Sequence, residues 1–227
     1  KKLFANTKIS LPTMSKAGSS VCGIDIGSGS IKVVQIKEEK GRIILETYGA
    51  LSLGPIANEP IGKPAKLSEA DTVKAITQVL KEARVTAKDF VISLQSNAIL
   101  VFVVTLPRSV ENQLEQVIPN EARKYIPVPL TEVSLDWFII PSKETYDQES
   151  STQSPTIEVL IVAVRNEMLQ NYQTVLQQAA ISNPVFEIES FATMRSVLRR
   201  EISPVLIVDV GTGFTSMMIV EYGIIRI

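Results

Sequence analysis

The chain has 227 residues, enough for one large domain or two small ones around a sizeable core. Its 23 basic residues nearly balance 24 acidic ones, so it lacks the electrostatic footprint of a nucleic-acid or anionic-membrane binder. With no histidine and a single cysteine, it excludes histidine-based triads, histidine metal sites, an imidazole pH switch and an internal disulfide.

Residues 1 to 20 mix Lys, Ser, Asn and Pro12 without periodicity and read as a flexible leader. Val21 to Val34, VCGIDIGSGSIKVV, then gives two β-favouring runs joined by Gly27-Ser28-Gly29-Ser30, a hairpin whose tight turn bares backbone amides. Converging amides make a nest of partial positive charge suited to phosphate, and glycine lets the phosphate approach closely. Lys32 adds a full charge from the second strand, and Asp25 stands where a carboxylate would hold a hydrated divalent ion against the same phosphates. Neither a helix nor Gly-Lys-Ser/Thr follows, so this is not the strand-to-helix phosphate loop. Cys22, inside the first run, reads as a small core residue rather than a reactive thiol.

Arg42 to Leu53 offers a third strand, Gly54 to Pro64 a loop, and Ser68 caps a helix with Val73, Ile76, Leu80 and Ala83 as its apolar stripe. Phe90 to Leu94 and Ile99 to Leu106 read as strands. Ser109 opens a helix through Tyr125, with Val110, Leu114, Val117 and Ile118 inward and a kink or restart at Pro119. Ile126-Pro-Val-Pro-Leu130 is stiff punctuation. Val133, Leu135, Trp137 and Ile139 alternate along a strand, Ile157 to Val164 makes another, and Lys143 to Pro155 is the polar loop between them. Asn166 caps a helix whose Leu169, Tyr172, Leu176 and Ala179 share one face. Residues 88 to 183 therefore form an α+β unit inserted between two parts of a core, 21 to 87 and 184 to 202.

The core resumes with a strand Val185 to Ile188 and a helix from Ser190 to about Arg199, and a second unit starts at 203. There Val205 to Val220, VLIVDVGTGFTSMMIV, repeats the grammar of the first hairpin. Superposing Asp209 on Asp25 pairs Gly211 with Gly27, Thr212 with Ser28 and Gly213 with Gly29. The bland alternative is two ordinary glycine hairpins in a β-rich core. The chain stops on the apolar Ile224-Ile-Arg-Ile227, a bare sheet edge expected of a piece of something longer. The longest apolar run, Ala98 to Val104, is too short to cross a bilayer, and with no charged-then-apolar leader a cytoplasmic location is expected.

Two phosphate hairpins, each opened by an Asp and separated by an inserted unit and a linking helix, resemble the superfamily of actin, heat-shock chaperones and sugar kinases, an α/β, ribonuclease H-like ATPase fold. The βαββαβ-like insertion in the first lobe is similar to that of the FtsA branch. Within it, IDIGSGSIKVVQI, Glu121-Ala-Arg-Lys-Tyr-Ile-Pro127 with Val-Pro-Leu after it, and Leu135-Asp-Trp137 resemble the PilM family of type IV pilus assembly proteins. The resemblance runs from Val21 to the end.

It implies that Asp25 and Asp209 face Mg through water, with the ATP triphosphate between two sets of amides. Gly27, Ser28, Gly29 and Ser30, with Lys32, would hold one side, and Gly211, Thr212 and Gly213 the other. Glu189 matches an acidic residue near the metal, and as a catalytic candidate it competes with a plain solvated helix-start glutamate. Ser216 replaces a second acidic residue of the chaperone relatives, which implies slow ATP hydrolysis at most. The later glycine-rich segment that holds adenosine in relatives does not occur. The implied partner is the cytoplasmic tail of a PilN-type inner-membrane protein, received in a groove between core and insertion. Tyr125 to Val128 is the neighbourhood suggested for it, against a role in core packing. Contact with other pilus components is implied as well, and self-association stays open. Two other functions compete: a sugar or acid kinase with Asp136 as base, against a place on the polar face of its strand, and an FtsA-like filament protein.

Overall fold

The structure is a computed structural model; it describes residues 19–96, 99–140, 155–182, 184–198 and 203–226. They fall into two compact units, an inserted one within Asn97–Gln170 and a core one that takes the residues up to Ser96 and from Asn171 on.

The core unit is built on a five-stranded sheet. β1 (Ser20–Ile26), β2 (Ser30–Glu39) and β3 (Arg42–Ser52) run antiparallel, and β4 (Asp89–Leu94) and β8 (Val185–Ile188) add in parallel, giving the order β3-β2-β1-β4-β8. Alternation decides which face is dry: Cys22, Ile24, Ile31, Val33 and Ile92 are all buried on one side. Helix α1 (Glu69–Glu82) closes that side, together with the end of α3 (Asn166–Gln178), where Leu176 is fully buried. Ser68 caps α1 as expected, its hydroxyl accepting from the Asp71 amide at 3.1 Å. The apolar stripe is rotated from the sequence reading: Ala75, Ile76, Val79 and Ala83 are buried, while Val73 and Leu80 sit at its edges. Burial pushes the Cys22 thiol up to about 11, the behaviour of a core residue.

A second sheet of this unit, in the order β11-β10-β9, comprises β9 (Val205–Val210), β10 (Thr215–Glu221) and the edge strand β11 (Ile224–Ile225). Helix α4 (Glu189–Val197) packs on it through Met194, against Ile207, Met218 and Val220.

The inserted unit is a three-stranded antiparallel sheet, β5 (Ile99–Pro107), β7 (Thr156–Arg165) and β6 (Val133–Ile140), in the order β5-β7-β6. Helix α2 (Leu114–Ala122) buries Leu114, Ile118 and Ala122 against Val104, Val159 and Ile161. The segment after Pro107 departs from expectation. Arg108–Gln113 is a 3₁₀ helix without a side-chain cap, so Ser109 does not open α2, and Pro119 lies inside it. Asn166 begins α3, but its side chain ties the helix sideways, accepting from the Ser134 hydroxyl at 2.7 Å and donating to the Thr131 carbonyl at 3.0 Å. The boundaries also shift: β4 pairs with β1 and β8 in the core sheet, so the chain crosses into the inserted unit after Ser96 rather than at Lys88. Most of the loop expected over Lys143 to Pro155 lies outside the described residues.

Candidate functional site

Three parallel strands, β1, β4 and β8, end side by side, which places Asp25, Gln95 and Glu189 at their carboxyl ends. Ligands of open α/β sheets bind at such ends. The β1–β2 turn follows directly from Asp25. Gly27 N donates to Ser30 O at 3.0 Å, and the carbonyls of Ser28 and Gly29 are taken by Ala65 N at 2.8 Å and Leu53 N at 2.9 Å. Because a trans peptide holds its N–H opposite its C=O, anchoring Ser28 O turns the Gly29 amide the other way.

The β9–β10 turn copies this geometry. Gly211 N donates to Phe214 O, again at 3.0 Å, and Asp209 pairs across the strands with Ser216 as Asp25 pairs with Lys32. The two turns meet through their glycines. A Cβ added to Gly29 would lie 2.5 Å from Thr212 Oγ1, and one added to Gly213 would lie 2.6 Å from Ser28 Oγ. Each turn thus presents a hydroxyl residue to a glycine of the other, a reciprocal contact between stretches far apart in the chain.

Both turns line one cavity of about 810 Å³. Asp25, Gly27, Ser28, Gly29, Ser30 and Lys32 contribute from one hairpin, Asp209, Gly211, Thr212 and Gly213 from the other, and Glu189 stands at the head of α4. All eleven residues proposed from sequence are therefore brought together. Lys32 Nζ donates to Asp25 Oδ2 at 3.3 Å, an exposed pair worth about 0–1 kcal/mol that leaves the lysine available to an anion. Burial, followed by the charges of Asp25 and Asp209, raises the Glu189 carboxyl above its ordinary range, while a hydrogen bond from Ser96 N at 3.2 Å and the charge of Lys32 oppose the rise. Glu189 is thus half-buried and engaged, not a plain solvated helix start.

The donor set suits a phosphate chain: glycine amides, a lysine, and carboxylates for a hydrated cation. Among the described residues no three acidic, cysteine or histidine side chains converge closely enough to hold a metal directly.

Sequence reasoning missed Gln95, Ser96 and Tyr172. Gln95 lines the cavity and its Nε2 donates to the Ile26 carbonyl at 2.8 Å. Tyr172 packs edge-on against Phe186, and burial, then Asp25 and Glu189, push its phenol up to about 12. For Gln95 and Ser96 the signal in the sequence is a polar pair closing the apolar run FVISL, which reading that run as part of the insertion hides. Asp136 is not among the residues lining the cavity. It lies in the inserted unit, buried rather than on a solvated strand face, with Oδ1 accepting from Trp137 N at 2.9 Å. In the Tyr125 to Val128 stretch, Ile126 and Val128 pack into the core of the inserted unit, while Tyr125 is 50% exposed and stacked on Phe102 at 4.7 Å.

A family model described as type IV pilus assembly protein PilM matches residues 23–225. The chain belongs to the PilM family. Among solved structures, this PilM-family chain is similar to one titled as the PilM-PilN type IV pilus biogenesis complex, with a TM-score of 0.72 and 22% identity. That match covers 91% of this chain and 60% of the other, so the chain spans less than two thirds of its relative. It is also similar to the cytoplasmic domain of EpsL, an inner-membrane component of the type II secretion system of Vibrio cholerae, with a TM-score of 0.51, 13% identity, and 89% and 71% of the two chains covered. The fold is actin-like, and the β3-β2-β1-β4-β8 sheet and the twinned hairpins accord with it. Among the described residues no helix is long and apolar enough to cross a membrane.

Proposed function

We propose that this PilM-family chain is an ATP-binding scaffold of the type IV pilus assembly machinery, cytoplasmic and held at the inner membrane by the tail of a PilN-type partner. The observation that carries the nucleotide part is the reciprocal contact of two like hairpins lining one cavity with two aspartates. In this reading the amides of Gly27, Ser28, Gly29 and Ser30, with Lys32, hold one side of the triphosphate. Those of Gly211, Thr212 and Gly213 hold the other. Asp25 and Asp209 orient the water shell of Mg, with Glu189 adding negative charge beside them. When bound, Mg-ATP would supply a polyanion to accept hydrogen bonds from the amides of Gly27 to Ser30 and Gly211 to Gly213 and a cation to offset the charge of Asp25 and Asp209. Its hydrolysis is slow at most, since Ser216 faces Asp209 where chaperone relatives carry a second acid.

The partner reading is supported by membership of the family and by the titled partner of its solved relative. The nucleotide reading is tested by calorimetry with Mg-ATP. In the full-length protein Asp25→Ala is expected to abolish Mg-dependent binding, and unchanged affinity would remove the site.

A further inference from the structure

The chain leaves the core unit at Ser96 and returns to it at Asn171, and both crossings are wired to the candidate site. At the exit, Ser96 N donates to Glu189 Oε2 at 3.2 Å, and Ser190 N donates back to Ser96 Oγ at 3.2 Å, a two-way clasp with the head of α4. One residue earlier, Gln95 holds the Ile26 carbonyl beside the first phosphate turn. At the return, the Tyr172 phenol is hydrogen-bonded to the Gln95 backbone and lies within the fields of Asp25 and Glu189. The last residues of the core unit before the insertion and the first after it therefore share one cluster with the carboxylates of the cavity.

We propose that Ser96 is the positioning residue through which occupancy of the hairpin cavity acts on the inserted unit. The inference rests on the nucleotide reading above. Asp25 and Asp209 repel Glu189 while no cation lies among them. A cation drawn there relieves the repulsion and lets the Glu189 carboxylate hold the Ser96 amide in a charge-assisted bond, which is stronger than a neutral one. Tightening the clasp fixes Gln95 and, through it, Tyr172. Occupancy thus stiffens both crossings, and with them the seat of any partner bound to the inserted unit.

The test is amide hydrogen exchange of the full-length protein with and without Mg-ATP, paired with calorimetry on the same samples. Mg-ATP is expected to slow exchange at Ser96 and at Asn171 and Tyr172 by about tenfold. Ser96→Ala removes the Ser190 half of the clasp. It is expected still to bind Mg-ATP, as calorimetry records, but to lose the slowing at Asn171 and Tyr172, and Ser96→Thr is expected to restore it. Binding without any change at Ser96 in the wild-type chain overturns the coupling and leaves the nucleotide reading standing. Persistent slowing at Asn171 in Ser96→Ala overturns the assignment to Ser96. An absence of Mg-ATP binding overturns the nucleotide reading and this inference with it.

Discussion

Gly29 has no room for a side chain. A methyl group there would lie 2.5 Å from Thr212 Oγ1 and 2.9 Å from its Cβ, and threonine is stiff about its first torsion. Gly29→Ala is expected to cost about 1–3 kcal/mol by overpacking, and Thr212→Gly in the same chain is expected to return most of it. Urea denaturation of the two single variants and the double variant measures this coupling. Glu189 gives a second prediction. Its carboxyl is raised, chiefly by burial and then by Asp25 and Asp209, so the folded chain holds that proton more tightly than the unfolded one. Its contribution to stability is complete below the ordinary glutamate range and is lost as pH rises through the folded value. Without added cation, Glu189→Gln is therefore expected to gain on the wild type as pH rises from the ordinary glutamate range through the raised folded value, as thermal melts over a pH series would record.

Strand β2 carries a buried polar joint. The strand register shifts between Gln35 and Ile36, and Gln35 reaches from the sheet to the connection between α1 and β4. Its Oε1 accepts from Thr86 N at 2.8 Å and Ala87 N at 3.0 Å, and its Nε2 donates to Glu46 Oε2 at 2.7 Å and Thr86 Oγ1 at 2.9 Å. Gln35→Leu keeps the bulk and strands two amides, so a loss of about 2–4 kcal/mol is expected in chemical denaturation. Nothing in the sequence announces this joint, because Thr86 and Ala87, whose amides it satisfies, lie some fifty residues away. The same reason explains the other misreadings. Phe90 to Leu94 reads correctly as a strand, but a local apolar run does not say which sheet it joins, and its parallel neighbours come from both sides of the insertion. Asp25 and Asp209, by contrast, were legible because the hairpin grammar is local and occurs twice, and β8 was legible down to its ends. The 3₁₀ start before α2 was not, since Ser109 is a good cap by type yet its side chain caps nothing here.

At the scale of the molecule, the inserted unit has a core of its own, with Ile118, Val159 and Ile161 fully buried, and an aromatic at its surface. Tyr125, half exposed and braced by Phe102, is suited to anchor an apolar peptide. Fluorescence anisotropy with the cytoplasmic segment of a PilN-type protein is expected to show binding by the chain and a loss of about tenfold or more in Tyr125→Ala; equal binding by the variant would move the docking site elsewhere. The meeting of the two turns has a consequence for descent as well. Ser28 with Gly213, and Thr212 with Gly29, are two locks that share their keys, so neither turn is free to drift alone. Among kindred chains, a bulkier residue on one side is expected to travel with a smaller one on the other, a correlated inheritance visible in any broad alignment.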